Sequence, residues 1–312
     1  MDPIRLSLSC GYYDRTLPLL DGRVKAEGIE LQFDAKPGIT IGSPEADIYE
    51  APLPSLVMER EKTGTHRGIA IFPRRKFFHQ LLLVRRESSI EGLSDLRGKR
   101  IGILRWFQHA LGVWLRGYLS DRWGIGAEEM EWFTERPDLS RLRGAGKVTV
   151  TVIPRGRSLV EMLLNGEIDV LLHEDAHRIL AAHGRALKRL FPQVMQAEAA
   201  YFHETGIFPI NHVLAARKEV MADHPWIAGS LVRAFEEAKR VALDELDRDT
   251  SLVSTPWMAP LLEEQRDLLR RDMYRYGTES NRRELETILR YLHEQGLVAR
   301  RMALEEIFAP EM

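Results

Sequence analysis

Apolar and polar positions along this chain follow two rhythms, one of period two in short runs and one near 3.6 in longer runs. The two take turns through the first two thirds. "IRLSLSC" alternates and predicts a strand, and "LPLLDGRVKAEGIEL" then predicts a short helix, a turn and a second strand. "SLVMEREKTG" has the spacing of an amphipathic helix closed by Gly64, with strands "GIAIF" and "FHQLLLVRR" after it. A polar stretch, "ESSIEGLSDLRGK", leads into a second series: strand "KRIGIL", helix "ALGVWLRGYLSDRWG", strand "VTVTVIP", helix "SLVEMLLNG" and strand "EIDVLL". The chain returns through strand "FPINHVLAAR". It is mainly helical from Asp223 onward, and "NRRELETILRYLHEQG" carries Asn281 as an expected N-cap and Gly296 as its stop. Strands alternating with helices predict a mostly parallel sheet with helices on its faces. The polar transitions near Arg86 and Gly206 predict two lobes: residues 1–85 and 206–312 in the first, with the C-terminal helices, and 86–205 in the second.

Composition narrows the function more than the fold. With 312 residues and 44% hydrophobic content, the chain is long enough for two modest cores. Lys+Arg (44) nearly balance Asp+Glu (46), so no general field draws nucleic acid or anionic lipid, and any anion recognition is local. Cys10 is the single cysteine, which excludes an internal disulfide and a cysteine-rich metal site. The start, "MDPIRLSLSCGYYD", has no basic n-region or apolar h-region, and no apolar run approaches the roughly 18 residues of a membrane span. The expectation is a cytoplasmic protein without a membrane partner. A homo-oligomer is left open.

One stretch, "HEDAHRILAAH" at 173–183, fits the H-E-x-x-H signature of zinc peptidases. That chemistry needs both histidines on one helix, at i and i+4. Here His173 directly follows the strand "EIDVLL", and Asp175 is the expected N-cap, so His173 falls outside the helix. Leu180 stands where an extended site needs glycine. No metal and no cofactor are expected. Because ligands bind at the C-terminal edge of strands in open α/β sheets, His173 is a candidate pocket residue instead.

Three stretches, "GYYDRTLPLLDGRVKAEGIEL", "IFPRRKFFH" and "TGIFPINH" with "HPWIAGSLVRAFEEAK", resemble the 4,5-dihydroxyphthalate decarboxylases. "LSDLRGKRIGIL" and "GEIDVLL" are shared more widely, with solute-binding proteins of the same fold. The resemblance covers nearly the whole chain. It implies an α/β, two-lobed, type II periplasmic-binding-protein-like fold with the ligand cleft between the lobes. It also implies a cofactor-independent carboxy-lyase acting, without oxidation, on a hydroxylated aromatic carboxylate. The alternative is a non-catalytic solute-binding protein for a small organic anion, of the ABC-transporter type, since fold alone does not settle function. Where the family pattern carries arginine, threonine and methionine, this chain has Phe78, Ala110 and Asn211. Those departures imply a substrate with one carboxylate fewer, or a less polar ring, than dihydroxyphthalate.

Decarboxylation of a hydroxylated ring needs a proton carrier and donors for a carboxylate. His79 and His212 match histidines of the family, and Glu50, in "ADIYEAPLPSL", matches a family glutamate that would orient a histidine or accept a phenolic proton. These three are the catalytic candidates. Arg15, after the first strand, and Arg75 are candidate carboxylate clamps, because a planar guanidinium can donate two parallel hydrogen bonds. Gln108 opens a helix whose first N–H groups favour an anionic group, and with His173 it completes the substrate-binding candidates.

Overall fold

The computed structural model describes residues 2–34, 46–103, 108–135, 148–270 and 272–311. Its strands, in chain order, are β1 (Ile4–Ser9), β2 (Ile29–Asp34), β3 (Ile48–Pro52), β4 (His66–Ile69), β5 (Leu82–Arg85) and β6 (Arg100–Ile103). They continue with β7 (Glu131–Thr134), β8 (Thr149–Val152), β9 (Val170–Leu172), β10 (Leu187–Arg189) and β11 (His212–Arg217). The strands form two sheets, and the chain divides into two compact units around them.

The first unit holds residues 1–75, 210–286 and 302–312. Its sheet has the order β2-β1-β3-β11-β4, with β1 parallel to β2 and β3, and β11 antiparallel to β3 and β4. The alternation of β1 sends Leu6, Leu8 and Cys10 to one face, where Ile48, Ile69, Leu214 and Ala216 join them in a buried core. The helix Ile227–Arg248 covers that core with Ile227, Leu231, Ala234, Phe235 and Ala238, the apolar stripe that its 3.6-residue spacing predicts.

The second unit holds residues 76–209 and 287–301, around a sheet of order β10-β5-β9-β6-β7-β8. Strands β9, β6, β7 and β8 run parallel; β5 pairs antiparallel with β9, and β10 pairs antiparallel with β5. Gly102, in the centre of β6, is needed for its size: a Cβ there would stand 2.6 Å from Ile168 Cδ1. The helix Ala110–Trp123 packs close to Tyr291, with Trp114 edge-on to that ring at 5.7 Å.

The division differs from the expected 1–85/206–312 and 86–205. β5 pairs with β9 and β10, so the second unit begins at Lys76. Residues 287–301 also belong to it, because Gln295 bonds the Val113 carbonyl and Arg116, and Arg290 pairs with Asp121. Among the described residues no helix is long and apolar enough to cross a membrane.

Gly117 faces the Tyr291 ring so closely that a Cβ would lie 2.2 Å from its Cδ2. Gly117→Ala is expected to destabilise the protein by roughly 1–3 kcal/mol despite the better helix propensity of alanine, because the overpacked ring must move. Urea unfolding reads this, and an unchanged or higher midpoint would show that the ring yields freely.

Candidate functional site

In the first unit, the candidates Glu50 and His212 lie on the paired strands β3 and β11, with Arg15 on the turn after β1. Register places Leu214 of β11 opposite Glu50 of β3, so His212 and Glu50 share a face two positions apart. Glu50 is fully buried, and its carboxylate is met on every side: Gly11 N donates to Oε2 at 2.8 Å, Tyr13 Oη donates to Oε1 at 2.8 Å, and Cys10 Sγ stands 3.4 Å from Oε2. His212 Nδ1 lies 2.5 Å from Oε1. Burial pushes the Glu50 carboxyl up, but the hydrogen bond and charge of His212, with the bonds from Gly11 and Tyr13, outweigh it and lower its pKa to about 2. Glu50 therefore stays ionised. Among the described residues, His212 Nε2 makes no hydrogen bond. An imidazole with Nδ1 held by a buried carboxylate and Nε2 uncommitted is arranged as a proton carrier, the carboxylate fixing the ring and Nε2 facing the exchange.

Arg15 sits on the turn after β1, with Nη1 on Asp14 Oδ1 at 2.7 Å and Nη2 on the Pro73 carbonyl at 3.0 Å. Its guanidinium stacks 3.7 Å above the Tyr274 ring. Arg15 is thus a rigidly mounted cation close to the Glu50 cluster, within electrostatic reach of Cys10.

Arg75 is a different case. It is buried, with Nη1 on Asn281 Oδ1 at 2.8 Å and Nη2 on Glu284 Oε1 at 3.1 Å. Burial lowers its pKa to about 10, with Glu284 acting in the opposite sense. An arginine committed to an internal carboxylate is a structural tie, which corrects its expected role as a ligand clamp.

His79 also departs from expectation. It lies in the second unit, on a short 3-10 turn (His79–Leu81) ahead of β5, not in the unit that holds His212. Its ring stacks on Phe78 at 4.3 Å and meets Phe191 and Tyr201 edge-on at 5.2 Å, while Nδ1 is buried without a hydrogen-bond partner among the described residues. Burial lowers its pKa to about 3, so at neutral pH it is uncharged and has no proton to spare as an acid. Phe78 fills the core of the same aromatic cluster, against Tyr118 and Tyr201.

In the centre of the second sheet, β6 and β9 are parallel neighbours, and the segments leaving their C-terminal ends carry Gln108 and His173. Gln108 is buried just ahead of the helix Ala110–Trp123. His173 stands before the helix Ala176–His183, outside it, with Nδ1 accepting from Asp175 N at 3.0 Å. Asp175 takes the N-cap position without a side-chain capping bond. Between Gln108 and His173 the structure adds a pair that sequence reasoning missed, His109 Nε2 and Glu174 Oε1 at 3.3 Å. The signal was present: each is the immediate neighbour of a candidate. Tyr13 was missed as well, for want of any local sign that it reaches β3.

Arg75→Ala is expected to cost about 3–5 kcal/mol of stability, since it strands the buried Glu284 carboxylate. Urea unfolding checks this, and a stability within about 1 kcal/mol of the parent, less than a typical buried ion pair is worth when broken, would return Arg75 to the list of ligand contacts.

The chain is similar to known proteins at two levels. It is 32% identical over 323 residues to 4,5-dihydroxyphthalate decarboxylase of Comamonas testosteroni, an alignment covering 99% of this chain and 98% of that one. It is 30% identical over 184 residues to the Pseudomonas putida protein of the same name, covering 55% of this chain and 71% of that one. No family model matches. Among solved structures, the aliphatic sulphonate binding protein SsuA of Escherichia coli superposes with a TM-score of 0.58 at 13% identity, covering 99% of this chain and 92% of that one. The desulfurization enzyme DSZB superposes with a TM-score of 0.53 at 18% identity, covering 100% and 97%. At those identities the structural likeness establishes the fold, that of periplasmic binding proteins, and nothing of the chemistry.

Proposed function

The chain belongs to the 4,5-dihydroxyphthalate decarboxylase family, and from that premise we propose that it removes CO2 from 4,5-dihydroxyphthalate or a close hydroxylated aromatic carboxylate, with His212 as the proton carrier. The observation that carries this reading is the contact between His212 Nδ1 and the ionised, buried Glu50.

The chemistry needs little else. A ring hydroxyl ortho or para to the departing carboxylate loses its proton to His212 Nε2, and the oxygen pushes electron density to the carbon bearing the carboxylate. The imidazolium, directly or through solvent, returns the proton to that carbon and interrupts the aromatic system; the C–C bond cleaves, CO2 leaves, its electron pair restores the ring as a phenolate, and a solvent proton regenerates the hydroxyl. One proton enters the product for each CO2 released. The phenolic oxygen is the electron source, so this route calls on no cofactor. Glu50 fixes the tautomer and orientation of His212 and stabilises the imidazolium while it carries the proton. Arg15, in the same unit as His212, holds a substrate carboxylate. His79, its ring packed among Phe78, Phe191 and Tyr201, is assigned no step in this scheme.

Fold neighbours that bind sulphonates keep one rival alive, a solute binder without turnover. Purified protein incubated with 4,5-dihydroxyphthalate is expected to release one CO2 per substrate, read by manometry and product chromatography. His212→Gln is expected to lose about two to four orders of magnitude in kcat, the usual contribution of general acid-base catalysis. Arg15→Ala is expected to raise KM about 10- to 100-fold, as for a lost charge-assisted hydrogen bond. Tight binding with the ligand recovered unchanged, across a panel of mono- and dicarboxylates, would hand the protein to the solute-binder reading.

A further inference from the structure

Glu50 Oε1 is shared. It lies 2.5 Å from His212 Nδ1 and accepts from Tyr13 Oη at 2.8 Å, so two donors compete for the same lone-pair density. The segment carrying Tyr13 is built to make that second bond. Tyr13 N donates to Thr16 Oγ1 at 3.1 Å, Thr16 N returns a bond to the Tyr13 carbonyl at 3.0 Å, and Thr16 Oγ1 donates to the same carbonyl at 2.9 Å. The backbone at Tyr13 is stapled in place. Its ring folds back over Gly11, where a Cβ would stand 2.7 Å from Tyr13 Cε2 and 2.8 Å from its oxygen. Any other residue at position 11 would push the ring away from Glu50, while Gly11 itself donates its N–H to Oε2. Tyr12, the neighbour, is exposed and takes no part.

We propose that Tyr13, seated over Gly11, is a positioning residue that fixes the Glu50 carboxylate and weakens its hold on the His212 proton, so setting the pH range over which His212 works. The inference rests on the reading of His212 as the proton carrier. The physical reason is charge: each donor on a carboxylate draws off part of the negative charge that stabilises an adjacent imidazolium. Burial, with the charge of Glu50, raises the Tyr13 pKa, which keeps the phenol a donor across the working range. The titratable groups facing Glu50 are Cys10 and Tyr13, from the end of β1 and the turn beyond, and His212 from β11. The charges of Arg15 and Arg74 act on Cys10 and Tyr13 respectively.

The test uses the full chain with isotopically labelled histidine, following the His212 ring resonance by NMR against pH, with His212→Gln to assign it. Tyr13→Phe is expected to move the titration midpoint upward by about one pH unit, the size expected when one hydrogen bond to a buried carboxylate is lost. Gly11→Ala is expected to move it the same way by displacing the ring without deleting the hydroxyl. Tyr12→Phe is expected to leave it in place. In the kinetic arm, the acid limb of kcat/KM for 4,5-dihydroxyphthalate shifts upward in Tyr13→Phe by the same amount. A midpoint unmoved or lowered in both Tyr13→Phe and Gly11→Ala would overturn the proposal. A shifted midpoint in a protein that releases no CO2 would uphold the positioning role of Tyr13 and remove the decarboxylase reading instead.

Discussion

A carboxylate withdrawn from water has to be met by donors or it will not stay charged, and the end of the five-stranded sheet is arranged around that requirement at Glu50. No one element supplies enough. The backbone N–H of Gly11 and the hydroxyl of Tyr13 come from the segment after β1, and the imidazole of His212 comes from the start of β11. Three stretches far apart in sequence therefore hold their mutual positions through one charged group. The pairing of β3 with both β1 and β11 is what makes this affordable in backbone terms, since the ladder has already fixed the strands.

The second unit shows how burial without such compensation leads elsewhere. His79 is enclosed by Phe78, Phe191 and Tyr201, and burial, uncompensated by a carboxylate among the described residues, favours its neutral form. Arg75, by contrast, is enclosed together with Glu284 and Asn281 and keeps its charge as part of a structural tie. Three residues that look equally suited to chemistry as letters, His79, Arg75 and His212, are separated by what surrounds them.

Much of the fold was legible because short-range pattern reports it. β1, β6, β9 and β11 stand out as alternating or apolar runs, and His173 falls ahead of its helix as its neighbours implied. What was not legible depends on partners distant in sequence. β7 (Glu131–Thr134) and β10 (Leu187–Arg189) are too short and too polar to be recognised without the strands beside them. The assignment of β5 to the second unit follows from its pairing with β9 and β10, and no composition change marks it. In the site, Glu50 and His212 were each singled out, but their contact spans 162 residues. The partners that commit Arg75 lie 206 and 209 residues away, and the Gly11-x-Tyr13 arrangement is too common a spacing to carry meaning alone.

The central claim is that Glu50 and His212 act as one unit. The measurement closest to it is a double-mutant cycle on kcat for 4,5-dihydroxyphthalate, comparing the parent with Glu50→Gln, His212→Gln and the two together. Groups that work as a unit are strongly non-additive, so the double variant is predicted to be no slower than the slower single variant. Losses that multiply, as for independent sites, would contradict the account.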